Sequence, residues 1–291
     1  MMKVFLFSLF ISNCCFSQMP ETDIWVVDLI KKEGKYSFEK PLNFTNRRGY
    51  DNQPSFSSDG KEIYFVSNKD SNQTDVFVYN FKNKTTQSVC QSLESEYSPT
   101  LTYDKKFLTC VTVLKDSSQK LLNYDVVNKM PATEISDRIN NPDSVGYFTW
   151  LNKDTVLYYK LTNPHSLRAW NIHTNKDVWI CDNPTRAFKK YGKTSQFIYG
   201  LKKDSSSVEF RIYNPTMKES KIYASYPSLN EDFVWNDELG LIKSENADLL
   251  YYKESSKTWE VLFSFSQLGI KKITRFVFDT KNKRLAIVSN L

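Results

Sequence analysis

Residues 278–290 read FDTKNKRLAIVSN and residues 56–68 read FSSDGKEIYFVSN, two stretches of one length that share their apolar positions and a closing Val-Ser-Asn. After Asn68 the chain runs on to Thr74-Asp75-Val76-Phe77-Val78-Tyr79-Asn80, whereas only Leu291 follows Asn290. The missing continuation stands near the other end, as Thr22-Asp23-Ile24-Trp25-Val26-Val27-Asp28. A repeat divided in this way needs its two pieces side by side, so the pattern predicts an array closed into a ring. Trp25 then becomes a buried interior residue of the closing sheet.

The period comes from an aromatic followed by Asn or Asp and a polar turn with Lys. It occurs at Tyr79-Asn80 with Lys84, Tyr124-Asp125 with Lys129, Trp170-Asn171 with Lys176, Tyr213-Asn214 with Lys218, and Tyr252-Lys253 with Lys257. Successive aromatics lie 45, 46, 43 and 39 residues apart, and Val27-Asp28 ahead of Lys31, Lys32 and Gly34 supplies a sixth copy. That spacing is the size of a propeller blade.

Within each copy, β-branched and aromatic runs bounded by Asn, Asp, Ser, Lys and Gly read as strands. In the first, Ile63, Phe65, Val76 and Val78 are assigned to one face, and Tyr64, Val66, Phe77 and Tyr79 to the other. Apolar residues on both faces suit a sheet sandwiched between two others. The expected fold is all-β, a six-bladed β-propeller closed by pairing of N-terminal strands with the C-terminal half-blade. Blades are placed at 46–90, 91–135, 140–182, 184–226 and 228–268, with 271–291 and 22–45 forming the sixth. Innermost strands are expected to begin near Pro54, Pro99, Tyr147, Lys189, Phe233 and Arg275. Five blades is the alternative, should the fourth and fifth merge.

Met1–Ser17 reads as a secretory signal, with Lys3, an apolar run from Val4 to Ile11, and small residues at Cys15 and Ser17. The run is too short to span a bilayer. Residues 18–291 are then a single propeller domain, periplasmic or secreted, with a lipoprotein anchored at Cys14 or Cys15 as the alternative. The formal net charge of +6 falls to +5 when Lys3 leaves. Mixed rather than blocked charges argue against nucleic acid as a partner. No transmembrane segment or cofactor is expected, and the molecule is read as a monomer. Cys90, Cys110 and Cys181 remain, an odd number that leaves at least one thiol unpaired. Cys110 is read as a buried small hydrophobe, with a Cys90–Cys110 bridge the less favoured option.

The run Pro54-Ser55-Phe56-Ser57-Ser58-Asp59-Gly60-Lys61-Glu62-Ile63-Tyr64-Phe65 resembles the repeat of TolB-type β-propellers, also seen in the propeller halves of prolyl oligopeptidase relatives. Pro99-Thr100-Leu101-Thr102-Tyr103-Asp104 is a looser copy. The resemblance implies a six-bladed periplasmic or surface scaffold that binds partners through its channel mouths. TolB-like proteins carry an α/β domain ahead of the propeller, and here the propeller follows the leader directly. Any partner recognised through that domain is not inherited. The hydrolase domain of the peptidase relatives is likewise missing, with no Gly-x-Ser-x-Gly elbow.

Candidate chemistry concentrates where the inner strands are entered. Acids there are Asp51, Glu96, Asp143, Glu231 and Asp232, bases are Arg48, Arg186, Lys190 and Arg275, and tyrosines are Tyr50, Tyr97, Tyr147 and Tyr191. Converging at one end of the channel, they would form a mixed-charge mouth suited to a protein or peptide partner. The alternative is a carbohydrate-binding or glycan-cleaving propeller, which needs two channel carboxylates across one bond. His165 and His173, the only histidines, are placed in loops rather than in a metal site or a catalytic triad. Asp70-Ser71-Asn72-Gln73-Thr74-Asp75 lacks the central Gly and distal Glu of a calcium loop and reads as a polar hairpin loop.

Overall fold

The computed structural model describes residues 19–69, 73–89, 92–126, 133–134, 142–228 and 230–290. Residues 1–17, Cys90, and Asp70 to Asn72 of the acidic hairpin lie outside them, and so do the readings that fall there.

The chain begins with β1 (Thr22–Lys32) and β2 (Lys35–Asn43). Four-stranded meanders follow. The first is β3 (Asp51–Phe56), β4 (Glu62–Ser67), β5 (Asp75–Asn80) and β6 (Thr85–Ser88). Next come β7 (Ser95–Leu101), β8 (Phe107–Val113), β9 (Gln119–Asp125) and β10 (Thr133–Glu134). The third is β11 (Val145–Trp150), β12 (Thr155–Lys160), β13 (Ser166–Asn171) and β14 (Asp177–Asp182). The fourth is β15 (Pro184–Lys190), β16 (Phe197–Lys202), β17 (Val208–Asn214) and β18 (Glu219–Tyr226). The fifth is β19 (Phe233–Asn236), β20 (Gly240–Glu245), β21 (Asp248–Lys253) and β22 (Thr258–Ser264). Finally β23 (Ile273–Phe278) and β24 (Arg284–Asn290) join the first two strands in a sheet of order β2-β1-β24-β23.

Six four-stranded blades result, and the split repeat is the sixth. Its seam is a continuous antiparallel register from Thr22 opposite Asn290 to Asp28 opposite Arg284. The inner strands β3, β7, β11, β15, β19 and β23 each touch the next around the ring. The core is divided the same way, into six clusters that each fill one blade-to-blade interface. Ile24, Val26, Phe65 and Phe77 join the sixth blade to the first, and Val76, Leu108 and Cys110 join the first to the second. Val27, Ile242, Phe276 and Ile287 close the circuit between the fifth and sixth. Closure leaves no blade with an open apolar face.

The repeat's polar mark is a turn device. Asn80 Oδ1 accepts the N–H groups of Lys82 and Asn83, Asn171 those of His173 and Thr174, and Asn214 those of Thr216 and Met217. The residue four positions on then takes a left-handed φ, at Lys84, Asn175 and Lys218. Asn side chains supply such turns by bonding their own backbone.

Three sequence expectations are corrected. The hairpin register pairs Ile63 with Tyr79, Phe65 with Phe77 and Val66 with Val76. Directly paired residues share a face, so Ile63, Phe65, Phe77 and Tyr79 pack together and Tyr64, Val66, Val76 and Val78 lie opposite. Trp25 is partly rather than fully buried, and the fully buried apolar seam residues are Ile24, Val27, Leu285, Ala286, Ile287 and Val288. The fourth inner strand begins at Pro184, five residues before Lys189.

Candidate functional site

Each inner strand is the edge of its sheet, so its outward hydrogen-bonding groups face the channel. Five of the six are bulged just after they begin, between Asn52 and Ser55, Tyr97 and Thr100, Val145 and Tyr147, Pro184 and Phe188, and Ile273 and Arg275. A bulge bends an edge strand and re-aims its side chains. In β3 and β7 the bulge places Gln53 and Ser98 at φ 56° and 54°, each immediately before a proline. That conformation is disfavoured ahead of proline. It is held here by the Ser98 N–H donating to Gln53 Oε1, which ties the first two blades together at the channel wall.

The bulges surround a cavity of about 180 Å³ to which all six inner strands contribute. Its charged lining groups are Arg186, Lys189, Arg275 and Asp232. Asp232 is buried, and its Oδ2 accepts the Phe276 N–H at 2.9 Å, linking the fifth blade to the sixth. Arg186 donates from Nη2 to the Thr274 carbonyl. The Arg275 guanidinium lies 5.7 Å from the centroid of the Tyr147 ring. Burial opposes charge on Arg186, yet Asp232, Tyr147 and Glu231 carry its pKa upward. Burial pushes Lys189 down, with Asp232 working against it and Arg275 with it.

Tyr50 reports how closely the mouth converges. Burial pushes its hydroxyl up to about 12, opposed by the charges of Arg275 and Arg186 and reinforced by Tyr147 and Tyr97. Side chains from the first, second, third, fourth and sixth blades therefore share one electrostatic environment. Its hydroxyl also accepts from Gln53 Nε2 at 3.3 Å.

The remaining expected site residues divide by location. Glu231 stands beside the mouth, accepting the Arg186 N–H at 3.2 Å and ion-pairing with Lys202. Asp51 and Glu96 are fully buried behind the mouth rather than presented to it. Asp51 pairs with Arg47 at 2.9 Å, and Glu96 accepts from Ser92 and from the Tyr124 hydroxyl. Arg48 is exposed, and its neighbour Arg47 is the organised cation, reaching Asp51, Ser67 and Asn68. Asp143 is also exposed, 3.6 Å from Lys160. Lys190 and Tyr191 lie at the opposite end of the channel. Lys190 borders a separate hollow with Trp235 and Asn236, and Tyr191 packs 4.4 Å from the Trp235 ring. Both follow from the early start of β15, which carries its last residues past the channel to the far rim.

Among the lining residues that the sequence did not single out as site residues are the polar Gln53 and the charged Lys189. The proline after Gln53 marked a strand start, and nothing local shows that the residue before it turns into the channel. His165 packs against Tyr159 and His173 bonds Asp154 at 3.0 Å.

No family model matches the sequence, and no curated protein matches it. Solved structures do match. A putative TolB from Agrobacterium tumefaciens aligns with a TM-score of 0.63 at 8% identity, over 94% of this chain and 99% of that one. TolB from Acinetobacter baumannii aligns at 0.57 and 9% identity, over 92% of this chain and 64% of that one. An oligogalacturonate lyase in complex with manganese aligns at 0.50 and 10% identity, over 94% and 98%. At these identities the likeness is one of fold, the TolB-type six-bladed propeller, hosting both an enzyme and a protein that is not described as one.

Proposed function

We propose that this chain is an exported, non-catalytic propeller that docks a protein or peptide partner at the channel mouth, the leader at 1–17 directing export. The observation that carries this reading is the convergence of Tyr147, Arg186 and Arg275 from three blades on one cavity, with the Tyr50 hydroxyl bonded to the lining residue Gln53. Tyrosine and arginine are the residue types enriched at protein-binding surfaces, because each joins a large flat contact area to polar reach. Similarity in fold to the two TolB structures supports a scaffold role. Glycan cleavage calls for two carboxylates flanking one bond. Asp232 is the single carboxylate lining the described cavity, and one of its oxygens already accepts the Phe276 N–H.

The test replaces Arg186 and Glu231 together by alanine and compares the proteins captured from envelope extracts, with Tyr97→Ala as a second variant that touches no ion pair. Partners held by the wild type and released by both variants would support mouth docking. An unchanged partner set from well-folded variants would reject it.

A further inference from the structure

We infer that the channel cavity is a carboxylate-binding site, in which Arg186, Lys189 and Arg275 receive a carboxylate that an extended peptide inserts along the axis. The inference rests on the docking reading above and names the group the partner delivers.

Charge is the first argument. Three cations and one carboxylate line the cavity, which leaves two positive charges in excess inside a narrow space. Asp232 makes no ion pair within 4.0 Å with any of the three among the described residues, and its charge, with that of Glu231 beside Arg186, offsets the cations only in part. An excess of positive charge next to low-dielectric walls attracts a counter-charge.

Hydrogen bonding is the second, independent argument. Nε of Arg186 and Nε of Arg275 are both buried and have no acceptor. Buried donors are normally satisfied, and leaving one unmade costs about 1–3 kcal/mol. Arg186 cannot swing away to find water, because its Nη2 is anchored on the Thr274 carbonyl. Arg275 is steadied against the Tyr147 ring. Both guanidinium groups line the cavity, and the planar fork of arginine is suited to the two oxygens of a carboxylate, which it binds through parallel bonds. Lys189 adds a third donor without fixed geometry.

The walls favour a peptide as the bearer. The cavity is enclosed by strand edges whose outward N–H and C=O groups can pair with an extended main chain. Its apolar lining includes Pro54, Pro99, Phe148, Phe188, Phe233 and Phe276, and the four phenylalanines are themselves buried, which leaves little ring face for sugar stacking.

Fluorescence anisotropy with labelled hexapeptides tests this on the full-length mature chain. The probes are hexaglutamate with an amidated C-terminus, hexaglutamine with a free C-terminal carboxylate, and amidated hexaglutamine. The first two are expected to bind, with affinity falling as salt rises, and the third not to. Arg275→Gln and Lys189→Gln should each weaken binding about tenfold or more without lowering the melting temperature, and Arg275→Lys should recover part of it. Equal binding of amidated hexaglutamine, or wild-type affinity in both Gln variants, would overturn the site. Tetragalacturonate or sodium sulfate displacing the peptides at far lower concentration would overturn the peptide assignment. If wild-type protein captures partners through the mouth while no carboxylate probe binds, the docking reading stands and this inference alone falls.

Discussion

Trp25 is the antiparallel partner of Ile287, so residues 262 positions apart in the chain are immediate neighbours in one sheet. The pair sits in the middle of a seam seven residue pairs long, between the innermost hairpin of the sixth blade and its two outer strands. Ring closure therefore depends on main-chain pairing between distant segments, and the core on either side of the seam depends on closure. Removing Thr22–Leu29 is expected to abolish cooperative thermal unfolding, followed by circular dichroism. Ile287→Ala, which opens a fully buried position, should cost about 2–5 kcal/mol. That is a large share of the roughly 5–15 kcal/mol that holds a domain together. A sharp, native-like melt from the deletion would contradict the split blade.

Glu96 gives the fold a pH dependence. It is fully buried, with Oε2 lacking any hydrogen-bond partner. Burial raises its pKa to about 7 against the pull of Ser92 and Tyr124, with Asp75 and Glu94 adding to the rise. The folded state therefore holds a proton that the unfolded chain has released above its ordinary value of 4.5. Stability should fall as pH climbs from the unfolded value through about 7, then level off, by at most about 3 kcal/mol. Urea titrations across pH 5–9 are expected to show this slope in the wild type and a flatter one in Glu96→Gln.

The first-hairpin turns predict a pair of opposite effects. Gly60, Lys105 and Asn282 occupy the same place in the first, second and sixth blades, all with positive φ (72°, 62° and 52°). An acid three or one residues before them organises the turn, as when Asp59 Oδ1 accepts the Lys61 N–H and Asp104 Oδ1 the Lys106 N–H. Lys105→Gly removes a side chain from a left-handed site and should stabilise by about 1 kcal/mol. Gly60→Ala should destabilise by a similar amount or more, because its new Cβ would also meet Asp279 Oδ2 at 2.9 Å. Shifts of the urea midpoint in opposite directions would bear this out.

Lys243 is 1% exposed, pairs with Glu245 at 2.7 Å and lies 3.4 Å from the centroid of the Tyr226 ring. Burial pushes its pKa down, and Glu245 offsets that in part. Lys243→Met keeps the packed stem and removes the buried charge, so its stability should stay within about 1 kcal/mol of wild type. Lys243→Ala leaves a cavity between the fourth and fifth blades and should cost about 2–4 kcal/mol. Calorimetry on the two variants separates packing from charge at this position.

Architecture was legible in the sequence because a propeller repeats one local pattern. The Asn-centred turns, the apolar runs and the divided copy at 278–290 and 22–28 are each set by neighbours within a few residues, and a period makes them additive. Blade count and chain closure both follow from that. The mouth was only partly legible. Tyr147, Arg186, Asp232 and Arg275 line one cavity, and Tyr50 bonds its lining residue Gln53. Lys190 and Tyr191 do not, because β15 starts five residues earlier than its apolar pattern suggests. Asp51 and Glu96 look like rim acids in one dimension but are folded behind it, committed to Arg47, Ser92 and Tyr124. Local pattern dictates which residues enter a strand. Which of their side chains reach a shared space is set by bulges, by the phase of each hairpin and by contacts across blades, and those exist only once six separate segments have closed around an axis.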